Sequence, residues 1–169
     1  GAAERSASAA APAPRSLGAL LAAIAERYAG IVPVHKHLAT SGHHDIRAAL
    51  IQHGGTKQVE PYLYPRAESL LPYYLALLIH TAGNPQPIAE ISRDCLQPIP
   101  LLEERQVLLW DKRRAGGTQR RSFSSTAPFA PPALVGELIE WTRRLRAHAP
   151  KGARDRLLLF KGARGINAW

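Results

Sequence analysis

The chain contains no methionine and a single cysteine, Cys95. One thiol excludes an internal disulfide and any multi-cysteine metal site, and it fits a reducing, cytoplasmic compartment. No apolar run approaches the ~18 residues that a membrane span requires. The Ala-, Ser- and Pro-rich N-terminus has no apolar segment of the secretory kind. No glycine-rich loop ends in Lys-Ser or Lys-Thr, so a P-loop phosphate cradle is excluded. Carboxylates are scarce, with 13 Asp and Glu against 22 Lys and Arg, for a formal net charge of +9. That imbalance favours a polyanionic partner, nucleic acid before others. The missing methionine points to a chain that has been processed or cut from a longer one, with Gly1 as the scar of a cleaved tag.

What is present is ordinary for a globular protein, at 46% hydrophobic and 21% charged, in a length that suits one medium domain or two small ones. The basic excess is uneven. Residues 1–66 hold seven Lys and Arg against four Asp and Glu, and residues 67–169 hold fifteen against nine.

Local signals divide the chain. Residues 1–15 are low-complexity Ala, Pro and Ser, the composition of a disordered tail. Ser16 caps a helix from Leu17 to about Tyr28 with Leu20, Leu21 and Ile24 on one face. Pro33 opens a short element through Leu38, within a loop VPVHKHL; a helix follows from Asp45 to His53, and Thr56 caps another short one. Residues 16–66 therefore read as a small helical region able to contact DNA. From Glu68 to Thr81 the sequence is apolar nearly all round, the pattern of a buried core helix. Asn84 and Pro85 open a helix running to about Cys95, and Pro98 and Pro100 mark a loop. Pro131-Pro132 starts a helix to about His148, burying Leu134, Leu138, Trp141 and Leu145 and exposing Arg143, Arg144 and Arg146. Arg156 to Phe160 reads as a short strand. The expected class is α+β, mainly helical with a small antiparallel hairpin.

The segment with most chemistry is Gln106 to Phe123, QVLLWDKRRAGGTQRRSF. Two β-favouring runs flank Ala115-Gly116-Gly117-Thr118, and a Gly-Gly pair supplies the positive φ of a hairpin turn. Lys112, Arg113, Arg114, Arg120 and Arg121 crowd this hairpin. Like charges on paired strands repel unless an anion lies among them, and a DNA backbone is such an anion. Lys36 and Lys57, in the helical region, complete the candidate DNA contacts.

The histidines carry less. His35, His37, His43 and His44 fall close together, but no cysteine or carboxylate completes a ligand set beyond Asp45 beside His44. No metal and no cofactor is expected. His80 reads as a core histidine, and Cys95 beside Asp94 as a buried thiol without an activating base.

The order of long apolar helix, Thr81-Ala82-Gly83-Asn84 turn, helix ending in ISRDCL, basic hairpin, helix and strand resembles the front half of the catalytic domain of tyrosine recombinases, the phage-integrase family. The stretch that carries the likeness is YYLALLIHTAGNPQPIAEISRDCLQPI, followed by the hairpin, and the resemblance spans residues 67–169. It implies DNA recombination or integration through a phosphotyrosine intermediate, without metal, in a bacterial or phage-derived protein of the cytoplasm that acts on double-stranded DNA and self-associates there. Lys112 falls on the family's hairpin lysine, which protonates the leaving 5′ oxygen. Asn84 stands where the first catalytic arginine is expected, Pro87 where an acidic residue is expected, and Arg93 is the nearest arginine. The His-x-x-Arg motif and the nucleophilic tyrosine would lie downstream. The resemblance thus implies a truncated fragment, inactive alone, whose parent is the enzyme. Two alternatives stand beside it: a non-catalytic DNA-binding protein on the same scaffold, and a helical protein–protein adaptor.

Overall fold

The computed structural model describes residues 14–33, 35–40, 42–112 and 117–169. The expected disordered tail lies outside these residues except for its last two. The chain divides into two compact units, Gly1–Tyr62 and Leu63–Trp169.

The first unit is helical: α1 (Leu17–Tyr28), α2 (His35–Thr40), α3 (His44–Gln52), α4 (Thr56–Val59) and a 3₁₀ turn at Glu60–Tyr62. Ser16 Oγ accepts the Ala19 amide at 3.1 Å and so satisfies one free donor of the first turn. Leu20 and Ile24, four residues apart and hence on one face, are fully buried. Helix α3 buries Ile46, Ala49 and Leu50. It stops where Gly54 and Gly55 take φ of 83° and 88°, values a side chain would strain. Thr56 is the first helical residue and not the cap, which falls on Gly55. Arg27 on α1 holds Asp45 in the first turn of α3 at 2.7 Å.

The second unit is α+β: α5 (Ala67–Thr81), α6 (Pro85–Ala89), β1 (Leu96–Pro98), β2 (Arg105–Lys112), β3 (Gly117–Ser124), α7 (Pro131–His148), β4 (Leu159–Gly162) and β5 (Gly165–Ala168). Strands β1, β2 and β3 form one antiparallel sheet in that order, and β4 and β5 a separate hairpin. The core joins Leu70 and Leu77 of α5, Ile88, Leu108 of β2, Leu138 of α7 and Leu157.

Several boundaries differ from the sequence expectation, each for a long-range reason. Helix α6 ends at Ala89 and not near Cys95. The Leu157 amide donates to Ile91 O and the Arg93 amide to Asp155 O, both at 2.9 Å, drawing this backbone out of the helix. Leu96–Pro98, expected in a loop, is a third strand whose terminal proline sits at the sheet edge, where no ladder donor is needed. The strand expected from Arg156 begins at Leu159 and pairs with β5. Helix α5 is not buried all round: Leu70 and Leu77 are, but Leu71, Leu75 and Ile79 are exposed. Trp141 is only partly covered. Arg146, expected in solvent, is half-buried and donates to Arg154 O at 2.7 Å, Arg156 O at 2.9 Å and Thr142 Oγ1 at 2.9 Å. Burial, then the neighbouring Arg93 charge, lowers its pKa. It pins the connection after α7 to the helix.

Two predictions follow from these contacts. Leu77→Ala should cost about 2–5 kcal/mol in urea unfolding, whereas Leu75→Ala, two residues away on the same helix, should cost less than about 0.5 kcal/mol. In the first unit, burial alone would raise the Asp45 carboxyl, but the Arg27 hydrogen bond and the Ile46 amide bring it below its ordinary value. Its folded pKa is depressed, so its contribution is complete above the unfolded value of about 3.9 and is lost as pH falls through the lowered one. Urea titrations from neutral to acid pH should show that loss in the wild type and a shallower one in Arg27→Ala.

Candidate nucleic-acid interface

The basic segment is a two-stranded antiparallel ribbon. Its register pairs Leu108 with Arg121, Leu109 with Arg120, Trp110 with Gln119 and Lys112 with Gly117. Gly117 and Thr118, expected in the turn, belong to β3. Arg113 and Arg114 lie outside the described residues, as do the side chains of Lys112 and Lys36. The two strands hold four cations, Arg105, Lys112, Arg120 and Arg121, against one carboxylate, Asp111.

Alternation along a strand sends neighbouring side chains to opposite faces. Leu108 and Trp110 face the core and anchor the ribbon. Arg121, opposite Leu108, shares that face; its guanidinium donates to the His80 carbonyl at 3.0 Å and lies 5.7 Å from the Phe123 ring centre. It caps the end of α5, where free carbonyls attract cations. Arg120 takes the other face and is exposed. The five hairpin cations therefore do not form a single file, and the two placed on β3 straddle the ribbon. Arg105, at the ribbon's inner end, donates to the Ser122 carbonyl and hydroxyl at 3.0 Å each. Lys57 is exposed on α4 of the first unit.

Beside the core-facing side of the ribbon is a hollow of about 130 Å³ lined by the Thr81–Asn84 turn, Pro87, Trp110 and Gln119. Local chemistry shapes this turn. Ala82 ends α5 at φ 49°. Thr81 Oγ1 donates to Leu77 O at 2.7 Å and accepts the Gly83 amide at 3.1 Å. A Cβ on Gly83 would stand 2.9 Å from Thr81 Oγ1 and 3.1 Å from Ile88, so only glycine fits. Asn84 then starts α6 exposed, with no side-chain cap bond. The turn thus presents an uncharged amide to the hollow. Arg93 does not line it. Its guanidinium lies 3.5 Å from Asp94 and 3.9 Å from Asp155.

A larger cleft of about 510 Å³ runs from α6 to the outer half of β2. Glu90, Asp94, Asp111 and Asp155 line it with Arg156, whose guanidinium pairs with Glu90 at 3.7 Å. Leu109, Trp110, Asp111 and Thr118 of the ribbon itself form one wall, so this acidic cleft abuts the basic ribbon. Cys95 also lines the cleft. Burial, with the Asp94 charge adding to it, pushes its thiol up to about 12. Tyr73 donates to Glu137 at 2.9 Å and Tyr74 to Pro85 O at 3.1 Å; Tyr64 is buried. Burial and the Glu137 bond raise the Tyr73 pKa. All three phenols are thus bonded or buried, whereas Tyr62, at the end of the first unit, is exposed. Among the described residues no three His, Cys, Asp or Glu side chains gather at metal-binding spacing, and no helix is long and apolar enough to cross a membrane.

Sequence reasoning missed Arg105, the acidic cleft and the tie between Arg121 and α5. Strand parity would have placed Arg105 on the face of Arg120; the other two features depend on contacts made far along the chain. Cys95 in the native protein should resist a thiol-specific disulfide reagent at pH 8 and react fully once unfolded in urea, as thiol absorbance assays would record.

No family model, no curated protein and no solved structure matches this chain.

Proposed function

We propose that this chain is part of a site-specific DNA recombinase of the tyrosine kind, in which the basic ribbon grips the phosphates of duplex DNA and Lys112 acts at the cleavage site. One observation carries the proposal. The cation-rich ribbon is anchored through Leu108 and Trp110, and its register places Lys112 opposite Gly117, beyond the hollow to which Asn84 contributes. In the proposed reaction a tyrosine hydroxyl, supplied by residues outside this chain, loses its proton to water as its oxygen attacks a DNA phosphorus and forms a phosphotyrosine bond. The bond to the 5′ oxygen breaks, and that oxygen takes a proton from the Lys112 ammonium. The lysine ammonium is the general acid that this step requires. Arg113, Arg114, Arg120 and Arg121, with Lys36 and Lys57 from the first unit, would neutralise backbone charge, and guanidinium groups suit phosphate by their paired donors. The proposed setting is the cytoplasm of a bacterium, or a phage within it.

A second reading rests on Asn84. An amide donates a hydrogen bond but cannot offset the charge that develops on a phosphoryl group. Its exposed place at the hollow, with Arg93 held by two carboxylates instead, favours a protein that holds DNA without cutting it.

Fluorescence anisotropy on a labelled duplex separates these readings from a protein that avoids nucleic acid. Affinity should fall steeply with salt, and Arg120→Ala should lessen the log–log slope by about 0.9, one phosphate contact. Arg143→Ala on α7, whose partner is Glu140 at 3.6 Å, should leave it unchanged. Salt-independent affinity would count against every phosphate contact named above. In the full protein, Lys112→Ala should lower strand cleavage about 10²–10⁴-fold while binding persists. An absence of cleavage in the unaltered protein selects the second reading.

A further inference from the structure

The hollow beside the ribbon has a lining that the proposed phosphate chemistry leaves unused. Two carboxamides border it, Asn84 from the turn after α5 and Gln119 from β3, with Trp110 and Pro87 as apolar wall and no charged side chain among the lining residues. Each amide stands on a fixed base. The turn before Asn84 is braced by Thr81 Oγ1, which donates to Leu77 O at 2.7 Å and accepts the Gly83 amide at 3.1 Å. Gln119 is registered directly opposite Trp110, so their side chains share one face of the ribbon, and Trp110 is anchored in the core. Both amides are exposed. Neither side chain makes a hydrogen bond to another described residue. Each offers one carbonyl acceptor and two N–H donors.

This lining selects among ligands. A phosphate calls for cations around it and a metal ion or ammonium for carboxylates, and the hollow has neither. A neutral planar group with donor and acceptor along one edge matches two amides and an apolar wall. The volume of about 130 Å³ is that of about four waters, room for one small ring system and not for a whole nucleotide. In a chain of net charge +9, beside a cation-rich ribbon, the group of that description is a nucleobase. Asn and Gln bond in pairs to N6 and N7 of adenine, which singles out one base. The site is recessed, so a base must leave its stack to enter it. We propose that the hollow receives one unpaired nucleobase of bound DNA, adenine by preference, with its edge read by Asn84 and Gln119 and its ring packed against Trp110. The inference rests on the DNA reading above and adds base recognition to it; neither amide takes part in breaking the strand.

Three labelled duplexes of one sequence test this by anisotropy: fully paired, with a single bulged adenine, and with a single bulged cytosine. A bulge has already met the cost of unpairing, so the adenine bulge should bind about tenfold tighter than the paired duplex. It should also bind about tenfold tighter than the cytosine bulge. Replacing the bulged adenine by purine, which lacks the N6 amino group, should forfeit about fivefold of that gain. Asn84→Ala and Gln119→Ala should each remove most of the adenine-over-cytosine preference, while circular dichroism stays native and the salt slope on the paired duplex is unchanged. Equal affinity for the two bulges, or a preference that survives in both variants, would overturn base recognition; salt-dependent binding of the paired duplex would then still stand as support for the DNA reading. Failure to bind any of the three duplexes would overturn both.

Discussion

The anchoring of Leu108 and Trp110 in the core of the second unit is the contact on which the rest of that unit depends. Once these residues point inward, the two-residue repeat of the strand leaves no freedom elsewhere. Arg121 must share their face, Arg120 must leave it, and Lys112 must fall at the far end of β2, opposite Gly117. A slip of one residue would bury Leu109 and Asp111 instead and would turn the cations over. The hydrophobic contact therefore fixes the electrostatic surface.

The same unit sets opposite charges side by side. The ribbon is basic, whereas the cleft between α6 and β2 collects carboxylates beside Arg156. Asn84 gives the hollow beside the ribbon an uncharged amide.

Much of the framework was legible because its signals are local. Ser16 caps α1 within three residues, Gly54 and Gly55 stop α3, and Pro85 and Pro131 open α6 and α7. The ribbon was legible too, since its glycines and β-favouring runs are adjacent in sequence. What escaped depends on partners far along the chain. Leu96–Pro98 becomes a strand only because β2 lies beside it, and α6 is cut short by pairing with residues 155–157. The exposed half of α5 looks in sequence like its buried half, because Leu75 and Leu77 are the same residue in different surroundings. Arg146 was read as solvated from its place on a helix, yet its acceptors come from the connection that follows. Of the candidate site, the cations could be enumerated from the sequence, but not the helix end that holds one of them.

That held cation links two parts of the molecule. The Arg121 guanidinium satisfies the carbonyl of His80 at the last turn of α5. A phosphate that captured it would compete with that carbonyl. The helix end would then give up its cap, and the turn carrying Gly83 and Asn84 would lose a restraint just as the anion arrived. Ligand capture and loosening of the adjoining turn would be two sides of one exchange, and a tighter grip on the anion would mean a freer hollow beside it.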